Sequence, residues 1–233
     1  HENLRESFLE GWAFVKEVPA FRFLSLSIMV LLVCDTGLEF RFLDVSYAAY
    51  SQEAYQTFYS FYRLGLTLVS ILIQGLLTAR LLARLNLKNA FFIKPAAVVF
   101  GSVAMLVQPG LVGGLVGILS LRITQYAIDE PARKTFQSLV PEERRGRVSI
   151  FIESYLYFIG VVLGCVLTGV IVLLGSQANL PIAFYVYLAL AVAAGALALW
   201  SIRRMRAVYD SSLLNWRLKR RQRGKSVLDK LEF

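Results

Sequence analysis

Long uncharged stretches dominate the chain. From Ser154 to Ile202 there are 49 residues without an Asp, Glu, Lys or Arg, and from Pro95 to Leu121 there are 27 more. A helix needs about 20 mostly apolar residues to cross roughly 30 Å of hydrocarbon, so each stretch holds two crossings divided at a turn. Gln108-Pro109-Gly110 divides one, and the run from Gly175 through Asn179 to Pro181 divides the other. The stretches do not alternate in segments of about ten residues as barrel strands do. The pattern therefore predicts an all-α, polytopic chain with six transmembrane helices at about 20–42, 55–79, 91–107, 111–128, 148–174 and 182–202. Pro131 is expected to end the fourth span, and Val140-Pro141-Glu142-Glu143 to open a short helix in the hydrophilic connection that follows.

The flanks read differently. Residues 1–19 interleave Glu2, Glu6, Glu10 and Glu17 with Leu4, Phe8, Leu9 and Trp12, the pattern of an amphipathic helix lying on a membrane surface or linking two bundles. Residues 203–233 form a basic tail. The opening His1-Glu2-Asn3 has neither a basic n-region nor an apolar h-region, so it reads as a cut end of something longer rather than a signal peptide.

Orientation follows from the cations. Connection 80–94 holds Arg80, Arg84, Lys88 and Lys94, connection 129–147 holds Arg133, Lys134, Arg144, Arg145 and Arg147, and the tail adds ten more from Arg203 to Lys230. Connections 43–54, 108–110 and 175–181 hold none. Positive charge gathers on the cytoplasmic side of spans, so both termini are expected inside a plasma membrane of the bacterial inner type.

Composition agrees: 57% of residues are hydrophobic, 18% are charged, and the mean hydropathy is +0.57, too little charge to cover a soluble domain. The net charge of +9 sits between and after the spans, where it would meet anionic headgroups, so the bilayer rather than nucleic acid is the expected partner. Cys34 and Cys165 lie in apolar segments as small hydrophobes. With His1 the sole histidine and no phosphate-binding GxxxxGK[ST] loop, neither a His-dependent triad, a His-ligated zinc nor an ATP-driven motor is supported. No enzyme, metal or cofactor is expected.

Ionisable residues at membrane depth are costly and so mark function. Asp35 and Glu39 are four apart on the first span, Arg63 follows an aromatic run on the second, and Arg122, Gln125 and Asp129 fall at i, i+3 and i+7 on the fourth. They are read as a polar pathway in which Arg63 or Arg122 binds an anionic solute and Asp35 or Glu39 pairs with it or takes a proton. Glu39, Arg41, Asp44 and Glu153 also lie close enough to span ends to snorkel to water. Arg133, Lys134, Glu142, Glu143, Arg144 and Arg145 are candidates for a cytoplasmic gate of ion pairs, or for topology determinants alone. Tyr47, Tyr50, Tyr55, Phe58, Tyr59, Phe61 and Tyr62 crowd one end of the first two spans, as an aromatic belt or a stacking surface. Gly110/Gly114, Gly113/Gly117 and Gly160/Gly164 give the four-residue spacing of closely packed helices.

The segment from Gln125-Tyr126-Ala127-Ile128-Asp129-Glu130-Pro131 to Glu143-Arg144-Arg145-Gly146-Arg147 resembles the loop after the tenth helix of ATP/ADP-translocase-type nucleotide transporters, within the major facilitator superfamily. Leu38-Glu39-Phe40-Arg41-Phe42 resembles their Glu-bearing seventh helix, and Arg84-Leu85-Asn86-Leu87-Lys88-Asn89 through Pro95 their link between helices eight and nine. The resemblance covers most of residues 20–175. It implies the C-terminal six-helix half of a twelve-helix secondary transporter, with the N-terminal half as partner, a small anionic or nucleotide-like solute, ATP binding in the family's manner, and Glu39 as the functional glutamate. Where the family carries a lysine, this chain has Thr124-Gln125-Tyr126. The other reading of the residues is a facilitator-like membrane module that transports nothing and anchors or regulates an attached soluble domain.

Overall fold

A computed structural model describes residues 4–140, 142–177 and 183–228, and every regular element among them is helical. Amphipathic α1 (Leu4–Glu17) precedes α2 (Pro19–Ala49), whose first turn is set by Pro19. Next come α3 (Gln52–Leu85), α4 (Leu87–Val107) and α5 (Leu111–Gln137). Helix α6 comprises Glu142–Ile150, a π-helical turn at Phe151–Tyr155, and Leu156–Gln177; α7 is Ala183–Leu228. Helices α2 to α7 each contain a stretch long and apolar enough to cross a membrane, and this bundle fits an integral membrane protein.

The helices outrun the apolar stretches that announce them. The 80–94 connection is almost wholly helical: α3 and α4 are separated only by Asn86, at φ 58°, a left-handed position that Asn tolerates better than most residues. Helix α6 begins at Glu142 as one piece with the fifth span, not as a separate short helix, and α7 carries on through the start of the basic tail. Start residue 182 of the sixth span lies outside the described residues.

Pro131 does not end α5, contrary to expectation; the helix continues to Gln137. A proline inside a helix lacks an N–H and crowds the carbonyl of residue i−4. Here a π-helical turn at Gln125–Asp129 precedes it, with the Glu130 N–H reaching back to the Gln125 carbonyl. The carbonyls that Pro131 leaves open find partners on α3: the Thr78 hydroxyl donates to Ala127 O at 2.8 Å, and the Gln74 amide donates to Tyr126 O at 3.1 Å. Helix α3 has its own π-turn at Gln74–Thr78, so two irregular turns face each other, and side chains of the α3 turn bond carbonyls of the α5 turn.

That pairing makes a prediction. Thr78→Val keeps shape but leaves the buried Ala127 carbonyl unpaired, which costs about 1–3 kcal/mol. The thermal midpoint in detergent is expected to fall, whereas Thr67→Val, which loses only a bond to the Arg63 carbonyl of its own helix, leaves it nearly unchanged. Equal midpoints for the two variants would rule the pairing out.

Helix α2 is the hub. It packs against α5, α6 and α7, and 56% of its apolar window is buried, against 17% for α3 and 22% for α6. Small residues set the approaches: a Cβ on Gly101 of α4 would lie 2.9 Å from the Gly117 carbonyl of α5. One on Gly160 or Gly164 of α6 would strike Leu32 or Thr36 of α2 at 2.8 and 2.6 Å. The Gly113/Gly117 and Gly160/Gly164 spacings are thus helix-packing faces, used between different pairs of helices, whereas Gly110 of the Gly110/Gly114 spacing has open space around it. One hydrophobic cluster, around Phe21, Phe91, Phe136 and Phe151, fills the end of the bundle near the basic connections; a second, around Leu38, Phe42, Ile118 and Leu188, fills the rest. Charge lies between and beside them.

Candidate functional site

The deepest charges form a four-membered cluster across three helices. Lys94 Nζ, two turns inside α4, lies 3.1 Å from Asp35 Oδ2 on α2 and 3.6 Å from Asp129 Oδ2 on α5. Arg133, four residues beyond Asp129 on the same helix, places Nε 3.1 Å from that same Oδ2. Lys94, Asp35 and Asp129 are buried and Arg133 is nearly so. Two cations and two carboxylates sum to zero, which is what a low-dielectric interior tolerates. Two loose ends remain: Asp35 Oδ1 and Arg133 Nε are buried with no hydrogen-bond partner, so Arg133 meets Asp129 as an ion pair without hydrogen-bond alignment.

A second, more open set lies one turn along α2. Arg122 of α5 donates from one guanidinium nitrogen to Glu39 Oε2 at 2.6 Å and from the other to Gln125 Oε1 at 3.0 Å. The Gln125 amide donates in turn to Glu130 Oε1 at 3.3 Å. The Arg122 side chain is 15% exposed and that of Glu39 44%, so the carboxylate is the accessible member. Gln125 fixes the fork of the guanidinium, and a planar fork is suited to carboxylate or phosphate oxygens. Chemically the set is a guanidinium oriented by Gln125 and neutralised by a partly exposed carboxylate, Glu39.

These positions sort the sequence candidates. Asp35 and Glu39, four apart, were expected to serve one pathway; they join different clusters, Asp35 with Lys94 and Glu39 with Arg122. The Arg122, Gln125, Asp129 stripe also divides. The π-turn beginning at Gln125 changes the angular step, so Gln125 stays with Arg122 while Asp129 turns to Lys94. Arg63 joins neither set: it is exposed on α3, with its guanidinium 5.9 Å from the Tyr59 ring. Arg41 ties down the end opposite the basic connections, bonding Asp44 and the Pro109 carbonyl, both at 2.7 Å, over the Phe184 ring.

The gate candidates separate as well. Arg133 belongs to the buried cluster rather than to the surface. Lys134 and Glu142 are exposed, and the side chain of Glu143 lies outside what is described. Arg145 caps the end of α5 by donating to the Ser138 and Val140 carbonyls at 3.0 and 3.2 Å. Arg144 stands 3.7 Å from Glu17, and Arg147 pairs with Glu10. With Trp12 and Phe8 against Phe151, those pairs fasten α1 to the start of α6. The aromatic crowd of the first two spans forms a ladder of ring contacts, with Tyr62 on Phe42 at 4.7 Å and Tyr50 stacked on Phe58 at 4.8 Å, except for Phe61, which is exposed.

Lys94 is the residue the sequence reading missed. It was counted among connection cations because it precedes Pro95 at the edge of an apolar run. Its four-carbon stem carries the ammonium inward from there. The available signal was its place inside the third span, which starts at about residue 91.

Comparisons with protein-family models, with curated proteins and with solved structures found no match.

Proposed function

We propose that this chain is the C-terminal half of a secondary transporter that moves a small anionic or nucleotide-like solute by alternating access. Its partner is a second six-helix body, the N-terminal half of the same carrier. The observation that carries the reading is the Arg122–Glu39 pair, half open at membrane depth between α5 and α2. A charged pair facing acyl chains is costly; a water-lined cleft between two bundles accommodates it. Transporters of this architecture hold their solute near the midplane between related halves. The ordered resemblance to nucleotide translocases, with Glu39 on the first span, supports the same assignment. The gathering of cations at one end supports placing both termini in the cytoplasm.

In this reading Arg122 is the solute anchor, Gln125 holds its fork, and Glu39 is the counter-ion that an arriving anion displaces. The Lys94 cluster is the scaffold that keeps α5 aligned with α2 and α4. The test uses the full-length protein in vesicles, with nucleoside phosphates, inorganic phosphate and dicarboxylates as labelled probes. At least one probe is expected to be taken up, and Arg122→Ala is expected to abolish that uptake while the amount of folded protein is unchanged. Uptake that survives Arg122→Ala would overturn the assignment.

A further inference from the structure

Of the arginines near the basic end of the bundle that have no carboxylate within 4.0 Å among the described residues, Arg22 and Arg204 are set apart by their ring contacts. Both are held over aromatic rings. Arg22, near the start of α2, places its guanidinium carbon 5.5 Å from the Phe23 ring, and Arg204 on α7 places its own 5.5 Å from the Trp200 ring. Phe23 and Trp200 meet edge to face with centroids 6.4 Å apart. The four side chains therefore form one arc across the α2–α7 seam. Its register is fixed from within, because the buried Ser201 hydroxyl donates to the Phe23 carbonyl at 2.8 Å. Trp200 and Arg204, four apart, share one face of α7, and both arginines and Trp200 are exposed.

We infer that this arc binds the headgroup of an anionic phospholipid. The 49-residue uncharged run ends at Ile202, so Trp200 and Arg204 lie where hydrocarbon gives way to headgroups, the depth that Trp and Arg favour. The two guanidinium groups take the phosphate oxygens, the rings back them, and the acyl chains follow the apolar seam between α2 and α7. A free phosphate uses the arginines but has no use for the seam. The inference needs the membrane bundle, not the transport reading.

The test is a native mass-spectrometric titration of the full chain in detergent with phosphatidylglycerol, with phosphatidylcholine as reference. Wild type is expected to retain phosphatidylglycerol preferentially. Each arginine near an anionic lipid carries roughly a fivefold factor in affinity, so Arg22→Gln with Arg204→Gln is expected to weaken binding about thirtyfold. The pair Arg203→Gln with Arg206→Gln removes the same charge from other faces of α7 and is expected to change it less than about twofold, the difference between a site and a diffuse field. Trp200→Leu keeps all charge and is expected to weaken binding about twofold to fivefold through the lost ring contact. It serves if the double variant fails to fold. Equal losses in the two double variants, unchanged binding in Trp200→Leu, or displacement of the lipid by millimolar inorganic phosphate would each overturn the inference.

Discussion

Lys94→Met is expected to destabilise the bundle by about 3–5 kcal/mol, the usual cost of removing one partner from a buried ion pair. Methionine fills nearly the same volume, so the loss is electrostatic rather than a cavity. Asp129 keeps Arg133 at 3.1 Å, but Asp35 keeps no cation in contact: Lys94 is its only one within 4.0 Å among the described residues, and its other oxygen is already unpartnered. At an effective dielectric of about 20, the attraction across 3.1 Å is worth roughly 5 kcal/mol before desolvation is subtracted. The orphan is thus one identifiable carboxylate, and the remedy follows. Asp35→Asn combined with Lys94→Met is expected to recover most of the loss, because it removes the charge that has no partner. Denaturant or thermal unfolding in a fixed detergent measures both. If Lys94→Met costs under about 1 kcal/mol, or the double variant is no better than the single, water reaches the cluster and its burial is not what holds it.

How far the sequence discloses this arrangement depends on which residues are asked. Six spans are legible because uncharged runs as long as 154–202 have one stable solution in lipid, with every amide bonded inside a helix. Arg122 is legible too, since a guanidinium in mid-span must have a reason to be there. Helix ends are not legible from hydropathy: nothing apolar marks 130–137 or 142–147 as helical, yet both continue their neighbours. The persistence of α5 past Pro131 depends on Thr78 and Gln74, some fifty positions away, supplying the missing bonds. No local pattern on α5 contains that information. The same holds for the split between Asp35 and Glu39. Their four-residue spacing places them on one face correctly, but which cation each meets is decided by the crossing of α4 and α5 at Gly101 and Gly117 and by the π-turn at Gln125–Asp129. Periodicity assumes a uniform 100° step, and these helices interrupt it where the charges lie.

Exchanging the charges of the open pair, Glu39→Arg with Arg122→Glu, is expected to separate stability from transport. Glu39 is 44% exposed, so solvent screens the pair and its contribution to stability is about 1 kcal/mol or less. The exchanged pair restores the attraction, and the double variant is expected to unfold within about 1 kcal/mol of the parent, with each single reversal less stable than the double. Solute binding responds differently. The exchange sets a carboxylate on α5 beside Gln125, where the guanidinium fork had been, and puts the cation on the exposed side of α2 without an amide to orient it. Losing an oriented, partly desolvated charge partner costs binding about 2–5 kcal/mol, roughly thirtyfold to several thousandfold in affinity. Uptake of the anionic probe is therefore expected to disappear in a protein that remains folded. Should the exchanged variant transport at the parent rate, attraction between α2 and α5 would be all that the pair provides, and Arg122 would be a tie between helices rather than an anchor for solute.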